Sequence, residues 1–214
     1  MKIEIWSDVV CPWCYIGKRR LEGALDGLEE ELGGVEIVWR SFELDPMAPA
    51  RQPEPLERSL ATKYGMSVER AGEMMARMTR VGADEGLTLD FDRALPGNTL
   101  DAHRLLHLAA THGRQSEMKE RLFRAYMTEG RAIGDRSELV ALAEEVGLDR
   151  EGVEAVLESD RFIEEVRGDE RRAREIGIRG VPFFLIDERG AVPGAQPVDV
   201  LREALRRMAN LTAG

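Results

Sequence analysis

Ser7-Asp8-Val9-Val10-Cys11-Pro12-Trp13-Cys14 joins an alternating stretch, Lys2-Ile3-Glu4-Ile5-Trp6, to a helical one. Ile3 and Ile5 share one face of the first stretch, so Lys2 to Trp6 reads as a short strand. Pro12 suits the first turn of a helix, where a missing N–H costs nothing. Leu21, Leu25, Leu28 and Leu32 carry that helix on as an apolar stripe, which Gly33-Gly34 ends. Val35-Glu36-Ile37-Val38-Trp39 supplies a second strand. Strand, helix and strand, with both cysteines at the strand-to-helix turn, open an α/β unit.

Downstream the pattern changes. Pro46, Pro49, Pro53 and Pro55 mark an irregular connection, and helical signals dominate beyond it. Ser67 is placed to cap a helix carrying Met74, Met75 and Met78, which fades near Gly86. Asn98 or Thr99 caps another, running through Leu105, Leu106 and Leu108 to Gly113. Ser116 to Glu129 is amphipathic through Met118, Leu122, Phe123 and Tyr126, and Asp135 with Glu138 has capping-box spacing. Helical stretches continue to Gly177. Strand character returns at Val181-Pro182-Phe183-Phe184-Leu185-Ile186, Asp187-Glu188-Arg189-Gly190 is a turn, and Ala191 to Ala195 pairs back as a hairpin. A last helix is expected from about Val198 to Met208. No internal repeat or low-complexity segment interrupts this order of β-α-β, helical insertion and β-β-α.

Composition narrows the function. The net charge of −10 argues against non-specific binding to nucleic acid or anionic membranes, both of which need a basic face. The local run Arg171-Arg172-Ala173-Arg174 is offset by neighbouring acids and reads as solvated helix. No apolar run approaches the roughly 18–20 residues of a spanning helix. The N-terminus is too short and too acidic for a signal peptide, so the default location is the cytoplasm. Both cysteines fall in one window, and a close pair in a reducing compartment is more often catalytic or metal-binding than structural.

Two residues between cysteines at a helix start let the sulfurs meet in a small disulfide ring. Unpaired N–H groups and the helix dipole there favour a thiolate, which is the nucleophile and the better leaving group in disulfide exchange. Cys11 is expected to be the exposed attacking thiol and Cys14, one turn deeper, the resolving thiol. The competing reading is zinc, with His103 and His107, one helical turn apart, completing a site of two cysteines and two histidines. Zinc pairs normally sit on a knuckle, whereas this pair opens a helix, so the redox reading is preferred and no metal is expected. His103 and His107 then belong to an ordinary helix, with His103 a candidate neighbour of the dithiol; His112 reads as a surface helix end.

Gly180-Val181-Pro182-Phe183-Phe184 is the second signal. Proline inside a strand is tolerated only at edges or special turns. A cis Val181–Pro182 bond would turn the backbone sharply and leave Val181 polar groups for an extended peptide beside the sulfurs. The alternative, a trans proline opening an edge strand, is favoured by the proline alone; the upstream dithiol and the β-β-α ending favour the cis form.

These segments, with Asn98-Thr99-Leu100-Asp101-Ala102-His103-Arg104 and Gly194-Ala195-Gln196-Pro197, resemble the DsbA-like oxidoreductases, specifically the FrnE-like branch, in order over nearly the whole chain. The resemblance implies an α/β, thioredoxin-like fold with a large all-helical insertion domain: residues 1–45 and 178–214 forming the discontinuous thioredoxin-like part, residues 46–177 the insertion and connecting helix. It implies a redox-active Cys-X-X-Cys centre with Cys11 and Cys14 catalytic, Pro12 and Trp13 tuning the thiolate and facing substrate, and Val181 and Pro182 shaping its docking. Oxidation, reduction or isomerisation of disulfides in proteins or small thiols is the implied activity. No organic cofactor is expected, glutathione or a thioredoxin-type protein is the candidate recycling partner, and a homodimer is a candidate assembly.

The chain departs from the pattern at Ile5. Many thioredoxin-fold enzymes carry there, six residues before the first cysteine, a buried acid that accepts the resolving thiol's proton; Asp8, Glu4 or water is the candidate substitute. The absence of an export signal also departs from DsbA, a periplasmic oxidant. Met47, Met66, Met74, Met75 and Met78 are read mainly as core, with an adaptable groove for peptides as the alternative. Two further functions compete: a glutathione-binding enzyme like the kappa-class transferases and hydroxychromene carboxylate isomerases, which usually place serine at the first cysteine position, and a non-enzymatic chaperone or metal-binding module.

Overall fold

The computed structural model describes residues 1–28, 30–52 and 54–212; Pro53, one of the prolines expected to mark the connection, lies outside them. Alternation and the Pro12 start produce β1 (Lys2–Ser7), α1 (Pro12–Leu25) and β2 (Glu36–Ser41). β1 and β2 pair in parallel with Ile5 opposite Trp39. The chain returns to the sheet as β3 (Phe183–Ile186) and β4 (Gly190–Pro193), then ends in α9 (Val198–Thr212). β3 runs antiparallel to β1, placing Phe184 opposite Ile5, and β4 runs antiparallel to β3. The order is β2-β1-β3-β4, so segments from both ends of the chain meet at the middle of one sheet.

Between β2 and β3 lie α2 (Leu56–Tyr64), α3 (Val68–Asp84), α4 (Leu100–Thr111), α5 (Gln115–Arg124), a π turn (Ala125–Glu129), α6 (Arg136–Glu145), α7 (Arg150–Leu157) and α8 (Ile163–Glu175). This is the expected α/β architecture, a thioredoxin-like sheet interrupted by a helical insertion. One face of the sheet packs Ile3, Ile5 and Phe184 against Leu21, Leu201 and Leu205, so α1 and α9 cover it. On the other face Trp6 and Phe183 meet Ala173 of α8 and Ile178. The insertion has its own core, including Leu105, Leu122 and Leu139, and that core also takes in Cys11, Cys14, Tyr15 and Ile16. The first turn of α1 therefore belongs to the helical core and its later turns to the sheet core. Tyr15 seals the join by stacking on Phe123 of α5, with ring centroids 4.8 Å apart.

Several local expectations hold and several shift. Ser67 caps α3, its side chain accepting from Arg70 N–H at 3.3 Å. Thr99 occupies the cap position of α4 without a side-chain bond. Asn98 does that work instead, accepting from Leu100 N–H at 2.9 Å while its amide donates to the carbonyls of Pro46 and Ala48. The capping box at Asp135 and Glu138 is not formed: Asp135 accepts from Ser137 N–H, but Glu138 turns away to pair with Arg131 at 2.6 Å. α1 stops at Leu25; Leu28 and Leu32 remain buried through turns rather than a continuous helix. The helix expected over Ser116–Glu129 changes to a π turn at Ala125, and α9 runs past Met208 to Thr212.

α1 approaches the β3 corner so closely that a glycine is required. A Cβ on Gly17 would stand 2.9 Å from Pro182 Cγ and 3.3 Å from Phe184 Cζ. Gly17→Val should cost about 1–3 kcal/mol of stability through overpacking, read as a lowered urea midpoint.

Candidate active site

Cys11 is the N-cap of α1, with extended backbone at φ −90° and ψ 112°. Pro12 follows without needing an N–H partner, and Cys14 N–H donates to the Cys11 carbonyl at 3.0 Å. Both sulfurs are free thiols and both are buried: Cys11, expected to be exposed, is only 6% so because it packs into the helical core, and Cys14 is 1% exposed. The Cys11 thiol donates to the Val181 carbonyl oxygen at 3.7 Å. The Val181–Pro182 peptide bond is cis. Gly194 N–H holds the Pro182 carbonyl at 2.8 Å, tying the corner to β4.

A cavity of about 200 Å³ opens beside this turn. Cys11, Pro12 and Trp13 form one wall, and Met74, Met75 and Met78 of α3 line the cavity with them. Trp13 is 36% exposed, the most open part of the dithiol segment. The methionines divide accordingly. Met75 and Met78 are buried and line the cavity, serving as core and wall at once, whereas Met47 is 89% exposed and is neither.

The polar groups behind the sulfurs come from distant segments. Asp8 is buried in the turn; its carboxylate accepts from Leu44 N–H at 2.7 Å and lies 3.3 Å from His103 Nε2. Burial acts to raise the Asp8 pKa, but the His103 hydrogen bond, Leu44 N–H and the charge of Lys119 outweigh it, so Asp8 stays ionised. Burial lowers the His103 pKa against the pull of Asp8, leaving a neutral ring that donates through Nε2. Glu4, the other acid considered as a proton acceptor, is committed to Arg40 at 2.6 Å and Arg172 at 3.0 Å. His107 points to Asp169 at 3.1 Å and Ser41 at 3.2 Å. Among the described residues no three His, Cys, Asp or Glu side chains are grouped as a metal site needs; His103 and His107 pair with Asp8 and Asp169. His112 is the C-cap residue of α4, as expected of a helix end.

Asn98, His103 and Arg104 of the central segment each tie a different part of the chain. Asn98 holds the connection after β2 and His103 holds Asp8. The Arg104 guanidinium donates to the carbonyls of Val156, Ser159 and Arg161, joining α4 to the end of α7.

Lys119 is the group that sequence reasoning missed. It is 0% exposed, its Nζ donates to the Ser7 carbonyl at 3.3 Å, and it sits 4.9 Å from the Phe123 ring centre and 5.5 Å from that of Trp39. The signal was present: position 119 falls inside the apolar stripe of Met118, Leu122, Phe123 and Tyr126, where a solvated lysine has no place. Burial pushes its pKa down to about 8, with Cys14, Asp8 and Cys11 pulling the other way.

The two thiols lie close enough for each to shift the other's pKa. The bond to Cys14, then burial, hold the Cys11 pKa well above the ordinary range. Burial also acts to raise Cys14, but the Cys11 bond, the charge of Lys119 and the Ser7 hydroxyl win and lower it. The helix start alone pointed to a charge on Cys11; Lys119 draws that charge toward Cys14.

Lys119 thereby carries a stability cost with a definite sign. Its folded pKa of about 8 lies below the ordinary 10.5, so the unfolded chain binds the extra proton between those values and stability rises with pH there. Lys119→Met should stabilise the protein at pH 7 by roughly 1–3 kcal/mol, and the gain should narrow as pH climbs from about 8 toward 10.5, as urea titrations at several pH values would show.

Residues 2–206 match the DSBA-like thioredoxin domain family. A probable DsbA oxidoreductase of Streptomyces coelicolor is 43% identical in a solved structure, with a TM-score of 0.91 over 97% of this chain and 89% of that one. Two more distant structures share the fold. One is a 2-hydroxychromene-2-carboxylate isomerase, 20% identical with a TM-score of 0.72 over 100% of this chain and 98% of the other. The second is the cytosolic disulfide reductase DsbM of Pseudomonas aeruginosa with glutathione, 19% identical with a TM-score of 0.67 over 100% and 99%. With its dithiol, its sheet order and a match over nearly its full length, this chain belongs to the DSBA-like thioredoxin domain family.

Proposed function

We propose that this protein is a thiol–disulfide oxidoreductase in which Cys11 attacks and Cys14 resolves. The observation that carries the reading is Cys11 itself, the N-cap residue of α1, at the cavity wall with its thiol on the Val181 carbonyl. Cys14 lies one helical turn inward, where only Cys11 can present a sulfur to it. In a substrate disulfide, Cys11 displaces one half as a thiolate and forms a mixed disulfide with the other. Its proton passes to Cys14 through the thiol pair. Cys14 then attacks Cys11 Sγ, releases the second half and closes the Cys11–Cys14 disulfide. Two electrons move from the dithiol to the substrate, and two molecules of glutathione can return the protein to its dithiol form as they become oxidised glutathione.

Val181 has a matching role. Its carbonyl is held by the Cys11 thiol only while that thiol keeps its proton, so formation of the mixed disulfide frees it to accept from a substrate N–H. Pro12 and Trp13 supply the apolar rim. A serine in place of the first cysteine, the usual mark of the transferase and isomerase relatives, is absent, which favours redox chemistry over that alternative. No helix among the described residues is long and apolar enough to cross a membrane. A reducing cytoplasm would keep the dithiol reduced and favour the disulfide-reducing direction.

Equilibration in glutathione buffers, followed by alkylation and mass measurement, should reveal one reversible two-thiol transition. A midpoint near −270 mV would mark a reductase and one between about −120 and −180 mV an oxidase or isomerase; the lack of any transition would overturn the proposal. Cys11→Ser should abolish turnover, while Cys14→Ser should accumulate a mixed disulfide on Cys11 that mass spectrometry detects.

A further inference from the structure

We infer that Lys119 takes the proton from Cys14 when that thiol resolves the mixed disulfide, so that the helical insertion supplies the base that the sheet lacks at Ile5. The inference rests on the oxidoreductase reading above and deepens it.

A buried ammonium needs a reason. Among the described residues Lys119 has a single acceptor, the Ser7 carbonyl; its Nζ otherwise lies over the Trp39 and Phe123 rings, with the Cys14 and Cys11 sulfurs near enough to act on its charge. A methionine or leucine would fill the same space beside Met118 and Leu122 without the desolvation cost. The charged and titratable groups that face it come from three elements. α1 offers Cys14 and Cys11, the turn after β1 offers Asp8, and α4 offers His103 behind Asp8. β2 contributes only the Trp39 ring, and its own helix the Phe123 ring.

Of these groups, Lys119 alone is suited to the proton. Asp8 is held as a carboxylate by Leu44 and His103, and His103 directs its Nε2 to Asp8 rather than to sulfur. Lys119 is poised near neutrality by burial, which makes its free amine accessible. Ser7 adds a path. Its hydroxyl has no partner in the dithiol protein yet favours a Cys14 thiolate, so a charge on Cys14 gives it an acceptor.

In the mixed disulfide, Cys11 Sγ is bonded to the substrate sulfur and Cys14 carries S–H. In the molecules whose Lys119 is the free amine, about a tenth of them at pH 7 for a pKa of about 8, the proton moves from Cys14 Sγ to Lys119 Nζ, directly or over the Ser7 hydroxyl. Cys14 Sγ bonds to Cys11 Sγ, the bond from Cys11 to the substrate breaks, and its electron pair leaves on the substrate thiolate, which is released to solvent. The dithiol is oxidised and the substrate disulfide reduced. In the reverse direction the Lys119 ammonium returns the proton to Cys14.

The test is a stopped-flow reaction of the reduced protein with an aromatic disulfide whose thiolate half absorbs visible light. The first release reports attack by Cys11, the second ring closure by Cys14. K119M should slow the second release about tenfold or more relative to the first at pH 7 and move the second's pH midpoint up by about one unit. A second phase in K119M with the wild-type rate and midpoint overturns the role of Lys119 and leaves the oxidoreductase reading standing. A wild-type second phase in K119R also overturns it, because a guanidinium keeps its proton. If circular dichroism shows K119M unfolded, the wild-type profile decides: a second phase with no ionisation between about pH 6 and 10 overturns the inference. A wild-type protein with no second release at all fails the oxidoreductase reading, and the inference falls with it.

Discussion

The turn between β1 and α1 must be buried from two sides, and the rest of the structure answers to that constraint. A helix start leaves backbone N–H groups unpaired, and a buried turn adds carbonyls and a carboxylate that need partners. Here those partners arrive from Leu44, His103, Lys119 and Val181, scattered along the chain. The sheet alone could not supply them. α1 is accordingly shared, its first turn held in the helical core and its later turns in the sheet core.

The same burial sets the chemistry. Asp8, Lys119 and the two thiols occupy one buried region, where each charge acts strongly on the others. Asp8 is held ionised by His103 and Leu44, and Lys119 shifts the charge of the thiol pair inward to Cys14. The Cys11 thiol is therefore protonated at rest and engaged with Val181, and in the proposed reaction it becomes reactive as its proton crosses to Cys14. A buried lysine, costly to the fold at neutral pH, stands where in the proposed reaction Cys14 must lose a proton, the pattern expected when stability yields to function.

Much of this was legible in the chain. The periodicity of Ile3 and Ile5, the helix start at Pro12 and the apolar run at Phe183 carry the β-α-β opening and the β-β-α ending, because strand and helix periods are local properties. α2 was not marked out in advance, since Leu56, Leu60 and Ala61 make too short a stripe to separate from the proline-rich connection before it. The stripe from Leu21 to Leu32 suggested one helix; burial of Leu28 and Leu32 is compatible with helix or turn, and the backbone chose turns after Leu25. Glu138 had capping-box spacing, but Arg131 offered it a charged partner that spacing does not reveal.

By itself the sequence determined the order of the elements, the place of the dithiol at a helix start and the odd proline before the third strand, since all three depend on neighbours a few residues away. Only the tertiary structure decided which groups surround the sulfurs. Cys11 meets Val181 across 170 positions, and Ser7 meets Lys119 across 112. Those contacts arise from the packing of α1 between two cores, and a buried charge takes its pKa from whatever that packing brings within reach.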